Sequence, residues 1–471
     1  MDKAQVTFPA GRQFALTWGI PEDFGGMTAA LLHRSRAMVR LAGVPVEVLT
    51  LDARPDYPQV EADLRARGEL IDGMTLTNLW DWLRENEVAP DAPGTLTLDK
   101  HPFTPLANEP TYLSNRRGDH ELSRARQNGD TTLQVDYYRE DGTLLASDRR
   151  ARGDEGRSVV LCDRDGQPFR SWGSIWALYR FWLDLIRRRE RSFMIVDSKT
   201  VAPFMATYRR KTATVVHVVH GSHRSPERKA TFENLEAFDS VVLLTDRQRA
   251  DVEAELGRRD NLAVIGNGRD LSAPAGQEPR PVGAGIMLAS LSTRKRVDHA
   301  VRAVAGAAVG HPEVSLDVYG DGPERDSVAA VIAELGAPVR LRGHVPDARA
   351  LLGDASFLLL TSSAEGLPLV LVEAMAVGCV PIAYDIDYGP ADLIRDGRNG
   401  YLVPAGDPDA AAQAIARFVS LAPRQVARLR RQARRTAQQF SDLAIIRLWN
   451  KELRAAAARH ATAWAARSQA S

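Results

Sequence analysis

Phe357-Leu-Leu-Leu360-Thr361-Ser-Ser-Ala-Glu365-Gly366-Leu367-Pro368-Leu369-Val-Leu-Val-Glu373-Ala-Met-Ala376 decides the reading of this chain. Four apolar residues run into a polar, glycine-marked turn, and an apolar run of helical spacing follows, so the stretch predicts strand, turn and helix. Pro368 suits the first helical turn, where its missing N–H would be unpaired anyway. The amides of Gly366, Leu367 and Leu369 then lie at the positive end of the helix dipole, a place suited to a phosphate. Glu365 stands at the mouth of the turn and Glu373 about two turns in. A carboxylate facing a phosphate would repel it, so both fit best as acceptors for neutral hydroxyls, such as those of a sugar or ribose. The bland alternative is an acidic residue at an ordinary helix start plus one solvated glutamate.

The same rhythm extends on both sides. Strands are expected at Gly285–Leu288, Ser315–Tyr319, Val339–Leu341 and Val380–Ala383, alternating with helices, which predicts a parallel-sheet α/β domain. Toward the N-terminus, Gln13–Trp18, the Gly25-Gly26 break, the helical spacing of Met27–Leu41 and the strand Val44–Leu49 form a βαβ opening. Strands follow at Phe193–Val196, Ala213–His220 and Ser240–Leu244, after a helix at Ile175–Arg188. Between Asp72 and Arg191 the alternation breaks. Leu133–Tyr138, a turn at Glu140-Asp-Gly142 and Thr143–Ala146 predict one hairpin, and Ser158–Cys162 with Gln167-Pro-Phe169 another, hence an antiparallel insertion. Asp270–Gly285, rich in Pro, Gly and Ala, reads as a linker, and Leu443–Ala466 as a long terminal helix.

A chain of 471 residues is long enough for two domains, each burying its own core. Hydrophobic content of 44% and charged content of 26% are those of a globular protein. The net charge of +1 gives no support for nucleic acid as a partner. Cys162 and Cys379 form no metal-ligand or redox spacing, and no apolar run approaches a membrane span, so a cytoplasmic location is expected, at most peripheral to the inner face of the membrane. Arginines outnumber lysines 54 to seven, which draws the eye to each lysine retained.

Glu365 and Glu373 with seven residues between them, followed by Ala374-Met-Ala-Val-Gly378-Cys-Val-Pro381, resemble the signature of glycosyltransferase family 4. Val318-Tyr-Gly320-Asp-Gly322-Pro, Gly343-His-Val, Leu351-Leu before Asp354-Ala, and Asp396-Gly397-Arg-Asn-Gly400-Tyr-Leu-Val extend the resemblance over the C-terminal half. Tyr384-Asp-Ile-Asp-Tyr388-Gly389-Pro390 is similar to the branch that glycosylates wall teichoic acid polymers or serine-rich surface proteins. The family's fold is GT-B, two Rossmann-like parallel-sheet domains facing a cleft, and that branch carries an antiparallel β insertion in its N-terminal domain. The implied division is an acceptor-side domain at 1–278 with the insertion at 72–191, a nucleotide-sugar-binding domain at 279–440, and a helix at 441–471 packing back on the first domain.

The resemblance also implies roles. Glu365 touches the donor sugar, Glu373 binds the ribose, and Lys295 neutralises the pyrophosphate. The family usually places an arginine where Ser290 stands, and Arg294 is the candidate to replace it, while Arg296 is expected to face solvent. His220 corresponds to a histidine near the reaction centre, whereas His217 should pack in the core. Gly25, Gly26, His223, Tyr388 and Gly389 fall on the acceptor side of the cleft. Asp163-Arg-Asp165 and Asp385-Ile-Asp387 mimic a metal-binding pattern of another fold, but the first lies in an expected turn and the second in the family-like loop, so no metal and no cofactor is expected. The implied activity is retaining transfer of glucose or N-acetylglucosamine from a UDP-sugar to a polyol-phosphate polymer or a surface protein. The exposed edges of an inserted antiparallel sheet invite pairing, so the β insertion is expected to mediate self-association or to grip a long acceptor, with no nucleic-acid partner. The competing expectation is a non-catalytic glycan-binding partner subunit, favoured by Ser290. A sugar-nucleotide epimerase of similar fold lacks an identifiable acid/base set.

Overall fold

The computed structural model describes residues 6–22, 24–88, 103–150, 156–271 and 280–470. The chain divides into two compact units, one of residues 9–216 with 460–471, the other of residues 1–8 with 217–459. Half of the linker expected at Asp270–Gly285, residues 272–279, lies outside the described residues, and the 278/279 boundary with it.

In the first unit, four parallel strands run in the order Ser192–Val196, Arg12–Leu16, Val46–Thr50 and Met74–Asn78. Their apolar side chains are buried, Leu16, Val48, Leu49 and Phe193 completely. The helix Gly26–Ala42 closes the expected βαβ opening and ends on Gly43 in the left-handed conformation, which a glycine adopts without strain. Within the stretch expected as the insertion, Met74–Asn78 extends the parallel sheet, and Leu113–Trp172 holds a separate six-stranded antiparallel meander. Both expected hairpins are present: Thr131–Tyr138 pairs with Leu144–Arg149, and Ser158–Cys162 with Pro168–Trp172. The helix Leu79–Glu85 anchors this meander. Trp80 stacks on Tyr137 at 3.6 Å between ring centroids, and the buried Arg84 donates from Nε to Tyr138 O at 2.9 Å.

The second unit is built on a six-stranded parallel sheet in the order Val339–Gly343, Ser315–Tyr319, Ala284–Leu288, Phe357–Leu360, Val380–Asp385, Tyr401–Pro404. Helices Val297–Ala308 and Pro408–Val419 bury Val301, Val304, Ile415 and Phe418 against it. The parallel pair Ser240–Leu243 and Leu262–Val264 belongs to the same unit. His217 is fully buried beside Phe238. The terminal helix runs from Asp442 to Ala470, and its Glu452 accepts from Ser240 Oγ at 2.7 Å. No helix among the described residues is long and apolar enough to cross a membrane.

Candidate functional site

The chain fills the six-stranded sheet by moving outward from Ala284–Leu288 on one side, then returning to add Phe357–Leu360 and its successors on the other. Ligands of open parallel sheets bind beyond the carboxyl ends of the strands at such a reversal. The two loops that leave these neighbouring strands carry Ser290, Arg294 and Lys295 on one side, and Glu365 and the helix start on the other.

The structure joins the loops through the predicted residues. Lys295 Nζ donates to Glu365 Oε1 at 2.5 Å, with the side chains only 16% and 11% exposed. Arg294 Nη1 lies 3.5 Å from the other oxygen of that carboxylate and donates to Ala364 O at 3.0 Å. Backbone and hydroxyl bonds hold the same seam: Ser363 N donates to Arg294 O at 2.8 Å, and the buried Thr361 hydroxyl reaches Lys295 O and Arg296 O at 3.0 and 2.8 Å. Arg296 does not simply face solvent. It is half-buried, adopts a positive φ of 46°, rare for a non-glycine residue, and sets the start of the Val297–Ala308 helix. Ser290 is exposed and its hydroxyl stays within its own loop, 3.4 Å from Ser292 Oγ.

On the other loop, Pro368 is the cap and the helix begins at Leu369, one residue later than its sequence suggests. The proline takes an extended conformation, with ψ 95°. Gly366, Leu367 and Leu369 donate to no backbone acceptor among the described residues, so their amides remain available to an anion. Gly389, at φ +98°, is required here: a Cβ would overlap the Pro368 ring and come within 2.9 Å of Gly366 O. Gly366 in turn lies against the turn that follows His220, since its Cβ would be 3.4 Å from Gly221 N. His220 itself is half-buried, and Gln248 Nε2 fixes the turn by donating to Gly221 O at 2.7 Å.

Glu373 is held by two cations. Its Oε1 accepts from Arg269 Nε at 2.7 Å and lies 3.3 Å from Arg349 Nε. Burial lowers the pKa of the Arg269 guanidinium from its ordinary value, opposed by the charge of Glu373 and reinforced by that of Arg349. Sequence reasoning missed Arg269 because it adjoins the stretch read as linker. The available signal was Gly266-Asn-Gly268 just before it: a Cβ at Gly266 would come within 3.0 Å of Leu367 Cδ2 and 2.8 Å of Phe440 Cε1, so glycine lets this strand of chain press on the helix start.

His223 and Tyr388 are brought together as a buried support. His223 Nε2 lies 3.1 Å from Glu255 Oε2 and its Nδ1 3.2 Å from the Tyr388 hydroxyl, which donates to Asp251 Oδ2 at 3.0 Å. Burial, with help from Asp251, pushes the Tyr388 pKa up. Gly25 and Gly26 lie in the other unit, exposed at the start of the Gly26–Ala42 helix, with no atom within 4 Å of a Cβ built on either. Of the Asp-x-Asp pairs, Asp163 is occupied by turn amides of Asp165 and Gln167, and Asp385 pairs with Arg247 at 2.5 Å.

Residues 284–439 match the family described as glycosyl transferases group 1. The chain is 29% identical over 334 residues to the UDP-N-acetylglucosamine–peptide N-acetylglucosaminyltransferase GtfA subunit of Streptococcus gordonii, a match covering 65% of this chain and 63% of that protein. It is 22% identical over 443 residues to the poly(ribitol-phosphate) alpha-N-acetylglucosaminyltransferase of Staphylococcus aureus, covering 83% and 89% of the two chains. A crystal structure of a mutant S. aureus TarM with fondaparinux, alpha-GlcNAc-glycerol and UDP superimposes with a TM-score of 0.68 at 19% identity, over 94% of this chain and all of the other, which shows the fold. The sheets, the antiparallel insertion, the motif pair at the strand-order reversal and these likenesses together give the chain the GT-B fold, with a glycosyl transferases group 1 match at residues 284–439 and a likeness to glycosyltransferases of polyol-phosphate polymers and of peptides.

Proposed function

We propose that this protein is a retaining glycosyltransferase that moves glucose or N-acetylglucosamine from a UDP-sugar to a hydroxyl of a polyol-phosphate polymer of the wall teichoic acid type, with a surface-protein hydroxyl as the competing acceptor. The observation that carries the reading is the meeting of Lys295 and Glu365 at the reversal of strand order. In this reading Glu365 holds the reacting sugar, with His220 beside it. Glu373, oriented by Arg269, accepts from the ribose hydroxyls. As the bond from the sugar C1 to the diphosphate oxygen breaks, its electron pair stays on that oxygen, where Lys295, Arg294 and the amides of Gly366, Leu367 and Leu369 stabilise it. The acceptor oxygen bonds to C1 on the same face, and its proton passes to the departing phosphate. These groups supply the positive charge without a divalent ion or a cofactor.

The test is product analysis. The protein is incubated in EDTA with UDP-glucose or UDP-N-acetylglucosamine and either poly(ribitol phosphate) or a serine-rich peptide, and the anomeric coupling of the product is read by NMR. An α-linked polymer product is expected. A β-linked product overturns retention, and activity that needs added Mg²⁺ or Mn²⁺ overturns metal independence. Ser290, standing where the family places an arginine, favours one second reading, a non-catalytic glycan-binding partner subunit. Absence of transfer from every donor, with glycan binding retained, would establish it.

A further inference from the structure

The helix Pro423–Ala437 buries Val426, Leu429 and Ala433, and its opposite face carries Arg424, Arg428, Arg431 and Arg435, all exposed. Spacings of four, three and four residues keep these arginines within a sector of about 60°, as a single file roughly 16 Å long. The helix contains no acidic residue. Among the described residues, none of the four has an acid within ion-pair distance; some exposed arginines elsewhere do, Arg224 with Asp251 and Glu255 and Arg340 and Arg342 with Asp317, while single ones such as Arg40, Arg302 and Arg447 do not, so what sets this helix apart is four in one file. The inward-facing arginines of the helix each reach an acceptor through Nη2, Arg430 on Ser356 Oγ at 3.0 Å and Arg434 on Val377 O at 3.3 Å. Like charges one turn apart destabilise a helix, so a file of four without counter-charge is a cost to the fold unless something anionic covers it.

The file does not stop at the helix. Asn399 Nδ2 donates to Thr436 Oγ1 at 2.9 Å, which brings the turn bearing exposed Arg395 and Arg398 beside Arg435. Asp396 in that turn accepts from Leu402 N at 3.1 Å. Just beyond the helix, Phe440 flanks Gly266 together with Leu367, so the C-terminal end of the file lies toward the helix start of the candidate site.

We propose that this arginine file is a binding track for the phosphodiester backbone of a polyol-phosphate chain, away from the reacting sugar. This deepens the proposed function and rests on it, because it favours the polymer over the protein as acceptor. A linear polyanion with one phosphate per short polyol matches a row of guanidinium groups, which bind phosphate through paired N–H donors. A folded protein partner would need an apolar centre, and a helix that enters a lipid surface would need apolar side chains among the basic ones. The exposed large apolar residues among those described, Trp18, Leu113, Val309, Leu335 and Leu448, all lie off this helix.

The test compares the natural protein with a variant in which Arg424, Arg428, Arg431 and Arg435 are all changed to Gln, and with a second in which all four are Lys. Fluorescent poly(glycerol phosphate) long enough to span the file is titrated across salt concentrations. The Gln variant is expected to bind the polymer at least about tenfold more weakly at low salt, with the slope of log affinity against log salt reduced by up to roughly 3, from about 0.7 per lost contact on a flexible polyanion. The Lys variant should keep most of the binding. UDP affinity, the unfolding temperature and transfer to a single-phosphate polyol should be unchanged in both. Polymer binding by the Gln variant equal to that of the natural protein overturns the proposal. So does arginine-dependent binding to phosphatidylglycerol vesicles without binding to the polymer, which would assign the file to a lipid surface. If the polymer binds through the file but receives no sugar, the track stands and the acceptor reading falls.

Discussion

Glu365 and Glu373 share a helix start but have different neighbours, and their substitutions should separate. Glu365 sits on Lys295 and Arg294, beside the developing charge, so Glu365→Gln is expected to lower kcat by roughly 10²–10³ with little change in donor affinity. Glu373→Ala should chiefly raise the Kd for UDP, measured by calorimetric titration. Equal effects of both on affinity, with kcat untouched, would contradict this division. Arg269→Ala leaves the mostly buried Glu373 with only the exposed Arg349, so it should mimic the loss of Glu373 in UDP binding and cost about 1–3 kcal/mol of stability. Arg269→Lys should restore part of both. The missing arginine at Ser290 sets a paired demand. If Arg294 compensates, Arg294→Ala is nearly as damaging as Lys295→Ala, and Ser290→Arg partly rescues it. A silent Arg294→Ala, with Ser290→Arg raising activity by orders of magnitude, would instead mark a weakened enzyme.

At the scale of elements, the contact of Gly389 with Pro368 makes the helix start depend on a loop from the next strand. Gly389→Ala adds a Cβ at φ +98° against the proline ring and should destabilise by about 1–3 kcal/mol while weakening donor binding, read by thermal unfolding with and without UDP. Full stability and normal UDP affinity would show that the loop yields. Just before the strand after this helix stands Cys379, whose thiol burial pushes up to about 12, as it does Cys162. A raised folded pKa favours the neutral thiol, so this contribution to stability is present at neutral pH and is lost as pH rises through the ordinary thiol range toward 12. Neither cysteine should react with iodoacetamide at pH 8 until the protein unfolds; fast labelling of the native protein would refute the burial. Local pattern was enough to read the hairpins and the turn from Phe357 into the helix, because adjacent residues determine both. Met74–Asn78 escaped because five residues of mixed polarity, buried only at Met74 and Asn78, look no different from a strand of the antiparallel sheet until they pair with Val46–Thr50. Arg269 escaped for a related reason: its partner Glu373 lies 104 residues away, beyond the reach of any local spacing. The Glu365–Glu373 pair was readable because one short strand–turn–helix stretch carries both, Glu365 in the turn and Glu373 in the helix.

The antiparallel meander bears on the whole molecule. Its terminal strand Leu113–Arg117 pairs only with His120–Asn128 among the described residues, and Leu113 is 57% exposed on it. An unpaired strand edge presents a row of free N–H and C=O groups to any similar edge. Two charges, Arg116 and Arg117, blunt this one, but Arg117 is drawn away to Asp81 at 2.7 Å, which leaves the Leu113–Asn115 end open. The expected consequence is self-association through this edge, detectable as a mass above that of one chain in light scattering. Ser114→Pro removes a backbone donor at the edge without touching the Trp80–Tyr137 stack that anchors the meander, so it should lower the mass to that of one chain while leaving UDP binding intact. A natural protein that runs as a single chain at all concentrations would refute the idea. A Ser114→Pro variant of unchanged, larger mass would move the interface to the other edge, Pro168–Trp172, or off the sheet altogether.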